Sequence, residues 1–185
     1  MREASQAVTV EKIRAGGIIH NTDLVQMGVM SVPDRPGIAS AVLCALGERG
    51  INVQFIVQSI DLKNRTHIIL CVAQDDLEMA LLAIEGVKSR VQAEELICRP
   101  NVAIVSVFGP HFRDHPGIAG VAFSALASAG INILAISTSI STLSCVLDGD
   151  QAVEALSEAF GVPSTAVFTA SRGLSLRSRA GGGGG

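Results

Sequence analysis

Two short stretches carry residue types that could do chemistry. Residues 34–40 read Asp-Arg-Pro-Gly-Ile-Ala-Ser, and residues 114–120 read Asp-His-Pro-Gly-Ile-Ala-Gly. In each, an aspartate (Asp34, Asp114) stands two residues before a proline (Pro36, Pro116), and a glycine follows (Gly37, Gly117). Proline suits the first position of a helix, where its missing N–H costs nothing. It also pushes the residue before it, Arg35 or His115, out of the helical region. Glycine leaves the first turn bare, so a ligand can approach the free backbone N–H groups closely. A helix start of this kind holds a carboxylate or a phosphate, while the aspartate can receive an ammonium. Together these groups suit the two charged ends of a free amino acid. Further polar residues follow: Asn52 and Gln58 lie an even number apart, which predicts one shared face of a strand. Asn132, Ser137, Thr138 and Ser139 fill the matching region of the second stretch. A tight strand-to-helix turn that binds nothing is the other reading of the same residues.

The two stretches are parts of a larger repeat. Shifted by 80 residues without a gap, the chain matches itself at 34/114, 36/116, 37/117, 38/118, 39/119, 45/125, 46/126, 50/130, 51/131, 52/132 and 56/136. Self-similarity at a fixed period means duplicated structural units. Each copy opens with a β-branched run of strand length, residues 24–32 and 101–109. A helical pattern follows, with Ile38, Val42, Ala45 and Leu46 in the first copy and Ile118, Ala122, Ala125 and Leu126 in the second; Gly50 and Gly130 are the stops. Two strands come next, 51–60 and 66–73, then 131–140 and 142–149. Second helices are predicted over 74–87 and 149–162, with acidic first turns that complement the helix dipole. Short last strands fall at 91–99 and 164–170. The order β-α-β-β-α-β, written twice, predicts an α+β protein of two ferredoxin-like units, each an antiparallel sheet with helices on one face. The predicted division is a leader over 1–23 with one strand at 16–22, units over 24–99 and 100–172, and a flexible Gly/Ser/Arg tail over 173–185.

Composition removes several classes. The 185 residues are 48% hydrophobic, enough for a substantial core, but carry no Trp or Tyr. Base-stacking platforms need aromatic rings, and a formal charge of −3 with scattered basic residues leaves no nucleic-acid footprint. No apolar run is long enough to cross a bilayer, and no secretory leader is visible. Cys44, Cys71, Cys98 and Cys145 are far apart with no C-x-x-C pair, so all four are expected as buried small hydrophobes in a reduced, cytoplasmic protein. No P-loop, Gly-rich dinucleotide turn, Ser-His-Asp or Cys-His constellation is present. His111 and His115 lie four apart in a loop beside Pro116, His67 lies within a strand, and no metal centre is expected.

The stretches "VPDRPGIASAVLCALGERGINVQFIVQSI" and "FRDHPGIAGVAFSALASAGINILAISTSI" resemble the tandem ACT domains at the regulatory end of aspartate kinase. The resemblance covers about residues 17–170. It implies a module that senses threonine or lysine and shuts down phosphorylation of aspartate, with no cofactor. It also implies effector contacts at Asp34, Gly37, Ile38, Ala39 and Gln58, with backbone groups of Asn132 and Ile133 meeting the effector across a dimer. A second, quasi-symmetric site would use Asn52 and Val53 with His115, Gly117, Ser137, Thr138 and Ser139. The sequence departs from the family pattern at Ile140, where an acidic residue is usual, and over residues 140–143. The family's kinase domain would need a few hundred further residues upstream. The chain itself is therefore expected not to be an enzyme, and to work as a homodimer or beside a catalytic chain. An effector-free ACT dimerisation module is the alternative.

Overall fold

The computed structural model describes residues 14–110, 112, 116–149 and 151–170. The elements in chain order are β1 (Gly17–Pro33), α1 (Ile38–Gly47), β2 (Phe55–Ile60), β3 (Arg65–Ala73), α2 (Leu77–Val91), β4 (Glu95–Phe108), α3 (Ile118–Ser128), β5 (Ile133–Thr138), β6 (Thr142–Asp148), α4 (Ala152–Phe160) and β7 (Val167–Thr169). This is the β-α-β-β-α-β order twice, as the repeat implied. The strands form one seven-stranded sheet in the order β2-β3-β1-β4-β6-β5, with β7 paired to β1.

The alternation of side chains along each strand builds the core. Val25, Met27 and Val29 of β1 and Ile68, Leu70 and Val72 of β3 point to one face, where Val42 and Leu46 of α1 and Ala80 and Ile84 of α2 cover them. In the second copy Val105, Val107, Cys145 and Leu147 meet Ala122 and Leu126 of α3 and Leu156 and Phe160 of α4. The opposite face carries a third cluster. Leu24, Phe55 and Cys71 from the first copy pack with Val102, Ile104 and Val146 from the second, and so join the two units.

Two long strands run through both copies. The expected leader strand and first strand are continuous as β1, and the expected strands 91–99 and 101–109 are continuous as β4. Residues 24–29 and 32–33 of β1 pair with β3 and residues 24–30 with the front of β4, whereas residues 17–21 pair with residues 104–108 of β4. Register shifts fall between Asn21 and Leu24 and between Leu24 and Gln26. Asp23 and Asn101 take positive φ there (57° and 58°), and Pro100 can give no ladder hydrogen bond, as at a bulge. The last strand also differs from expectation. β7 does not extend the second copy's sheet at β4, because residues 18–20 of β1 take that edge and pair with β7 in parallel.

Other local differences have simple causes. β2 and β5 start at Phe55 and Ile133, so Asn52 and Asn132 precede their strands. Pro36 is not in the first turn of α1. Gly37 is the N-cap, left-handed at φ 93°, and the helix starts at Ile38; Gly117 does the same for α3 at φ 91°. Only two of the four cysteines are buried. Burial pushes the thiol of Cys71 up to about 12 and that of Cys145 up to about 11, while Cys44 and Cys98 are exposed. Among the described residues no helix is long and apolar enough to cross a membrane.

Candidate functional site

Asp34, Gly37, Ile38, Ala39 and Gln58 lie together. With Arg35 and Pro36 they line an open hollow of about 330 Å³ between the start of α1 and β2. Gln58 reaches it because it sits opposite Ile68, a core residue of the helix-covered face. The first turn of α1 has no side-chain cap, so its leading N–H groups remain free for an acceptor. Arg35 does not compensate Asp34. Its guanidinium donates to the Arg90 carbonyl at the end of α2, 2.7 Å away.

Asp34 is itself held. The Thr66 hydroxyl donates to its Oδ1 at 3.0 Å, and the Asp34 N–H donates to the Asn64 carbonyl at 3.3 Å. Both partners belong to the hairpin between β2 and β3. Asp61 ties that hairpin, its Oδ1 accepting the N–H groups of Lys63 and Arg65 at 2.8 and 2.9 Å. The Arg65 N–H lowers the Asp61 carboxyl below its ordinary range; desolvation opposes it, and the Lys63 N–H and His67 add to the lowering. The Ser31 N–H donates to His67 Nδ1 at 3.2 Å. His67 therefore carries its proton on Nε2, which donates to Asp61 Oδ2 at 3.3 Å. Arg65 spans from the Ser31 carbonyl to Glu94. Sequence reasoning assigned no role to Thr66, since a threonine opening a strand reads only as a good β-former.

The second copy has a smaller counterpart. Gly117, Ile118, Ala119, Thr138 and Ser139 line a hollow of about 210 Å³ together with Phe112, Thr142 and Leu143. Thr138 stands where Gln58 stands in the first copy, and Phe112 lies against Phe160 with ring centroids 6.3 Å apart. Ser137 does not join them. It faces Ser144, whose hydroxyl is 2.7 Å from that of Ser106, on the other side of the sheet. Ser137 and Thr138 are neighbours in β5 and so face opposite ways, and that signal was available in the sequence. Asn52 and Val53 do not line this hollow, nor do Asn132 and Ile133 line the one at Asp34. Asp114, His115 and His111 lie outside the described residues. Among the described residues no group of three or more His, Cys, Asp or Glu is placed to hold a metal ion.

A charged amino group could meet Asp34 and a carboxylate the start of α1, with Gln58 to read a polar side chain. Known proteins agree with this fold and with no narrower detail. ACT-domain family models match residues 28–86 and 105–160. The aspartate kinase of Stutzerimonas stutzeri is 34% identical over 165 residues, which is 88% of this chain and 40% of that protein. The chain thus spans well under half the length of that curated relative. The structure of the regulatory subunit of aspartate kinase from Thermus flavus superposes with a TM-score of 0.72 at 34% identity, covering 80% of this chain and 99% of that one. A structure of aspartokinase alpha and beta subunits gives 0.72 at 30% identity, with 80% and 99% covered.

Proposed function

The chain belongs to the ACT-domain family, as a tandem pair like the regulatory part of aspartate kinases, and from that premise we propose that it senses a free amino acid, threonine or lysine, and feeds this back on the phosphorylation of aspartate. The observation that carries the reading is the convergence of the Asp34 carboxylate, the uncapped start of α1 and the Gln58 amide on one hollow. The chain binds and does not catalyse; it acts in the cytoplasm, on a kinase domain that the longer relatives carry and its own sequence does not resemble.

A second copy, or a related regulatory segment, completes the site. Asn132 is exposed beside the outer strand β5, so its backbone groups and those of Ile133 can close over an effector seated at Asp34 of the partner. An effector that fits only this paired arrangement draws the kinase toward one state, to the extent of its differential affinity. Outer strand β2 presents the half-exposed Ile56 and Ile60 and outer strand β5 the half-exposed Ile136, with Ile140 exposed just beyond it. That feature favours pairing of copies even on the effector-free reading.

The test is a thermal melt with each free amino acid in turn. A ligand at about 100 times its dissociation constant adds roughly 2.7 kcal/mol, some 5–10 °C for a chain of this size. We expect the shift from threonine or lysine, and none from either in Asp34→Ala when compared with that variant's own melt without ligand. No shift from any amino acid overturns the sensor and leaves a pairing module.

A further inference from the structure

We infer that the hairpin between β2 and β3, acting through Thr66, sets the Asp34 carboxylate for the α-ammonium of the amino acid. The inference rests on the reading above. The two copies differ in length at this hairpin. From Gln58 to its partner Ile68 the chain runs ten residues (68 − 58), while from Thr138 to its partner Leu143 it runs five (143 − 138). The first copy therefore carries five residues that the second lacks. In the second copy Ser139 and Thr142 close the turn directly, the Ser139 N–H donating to the Thr142 carbonyl at 2.8 Å.

Asn64 lies among those extra residues and Thr66 stands at the start of β3 just after them, and both fix Asp34. Thr66 is 1% exposed, one of two buried polar residues among those described, and its hydroxyl donates to Asp34 Oδ1 at 3.0 Å. Asn64, at φ 56°, presents its carbonyl to the Asp34 N–H. An exposed aspartate otherwise samples several rotamers. A donor anchored in the core holds one oxygen and leaves Oδ2 to accept an ammonium, so less ordering is needed on binding. Asp61, His67 and Arg65 keep the hairpin in that shape. Thr66 is thus a positioning residue. It acts through Asp34, and its effect is confined to the ligand's amino group.

That confinement makes the test specific. Titration calorimetry would compare wild type, Thr66→Val and Thr66→Ser, each with the amino acid that shifts the melt and with its analogue lacking the α-amino group. The analogue is 3-hydroxybutyrate for threonine and 6-aminohexanoate for lysine. Thr66→Val should weaken the amino acid roughly tenfold and leave the analogue within about twofold. Thr66→Ser, which keeps the hydroxyl, should restore wild-type affinity within about twofold. Equal weakening of both ligands, wild-type binding by Thr66→Val, or failure of serine to rescue overturns the inference while the sensor reading stands. If Thr66→Val does not fold, Thr66→Cys removes the hydroxyl at similar volume and is judged by the same ratio. A wild type that binds no amino acid overturns the sensor reading itself.

Discussion

Gly37 shows what a single position contributes. Its φ of 93° lies in the left-handed region, which is strained for any residue with a Cβ. A Cβ built there would meet nothing within 4 Å, so conformation alone sets the cost of Gly37→Ala. Stability should fall by about 1 kcal/mol, read as a lower urea midpoint at unchanged slope; an unchanged midpoint would show that the turn relaxes freely. At this scale the sequence was a good guide wherever an identity was tied to backbone geometry. The resemblance to the ACT pair is what grouped Asp34, Gly37, Ala39 and Gln58, and the structure sets all four around one hollow. The sequence was a poor guide where a role depends on a contact distant in the chain. Nothing about Thr66 foretells a hydrogen bond to a residue 32 positions earlier, and nothing about Cys44 or Cys98 separates them from their buried counterparts.

Helix α2 carries a lesson about elements. Its pattern suggests an end near Gly86, but the structure continues it to Val91. Lys88 and Arg90 in the last turn complement the helix dipole, and Gln92 turns left-handed as the C-cap. Gly86 is thus interior, and an added Cβ would meet nothing within 4 Å. Gly86→Ala should raise stability by about 0.5–1 kcal/mol, seen as a higher urea midpoint; a lower one would mean that the glycine serves a contact beyond this chain. The kinds of element and their order were legible because the repeat supplied two independent samples of each. Their edges were less so. Residues 51–54 have strand-like composition but precede β2, which left Asn52 off the face assigned to it. The proline of each turn was expected inside the helix, but the glycine after it adopts a conformation that excludes its neighbour from the first turn.

For the whole molecule, the sharing of β1 and β4 decides how the two copies behave. The cluster of Leu24, Phe55, Cys71, Val102, Ile104 and Val146 draws on both, so neither copy can lose its core without exposing the other. Ile84 and Phe160 are fully buried in separate cores. Ile84→Ala and Phe160→Ala should each lower the stability of one common transition, by about 2–5 and 3–5 kcal/mol. Coincident unfolding curves from a fluorescence label on Cys44 with Cys98→Ser, and from one on Ser128→Cys with both Cys44→Ser and Cys98→Ser, would show it; two separated transitions would refute it. This coupling was not legible in the sequence, where each copy looked complete. A strand's neighbours are set by which edges remain free, and the repeat carries no information on that. Residues 18–20 take the edge that β7 would fill in a self-contained second copy. The arrangement has a consequence for the order of manufacture. β1 leaves the ribosome well before β7, so its residues 18–20 wait for that partner while everything between the two strands is made, and must be kept from other partners until then.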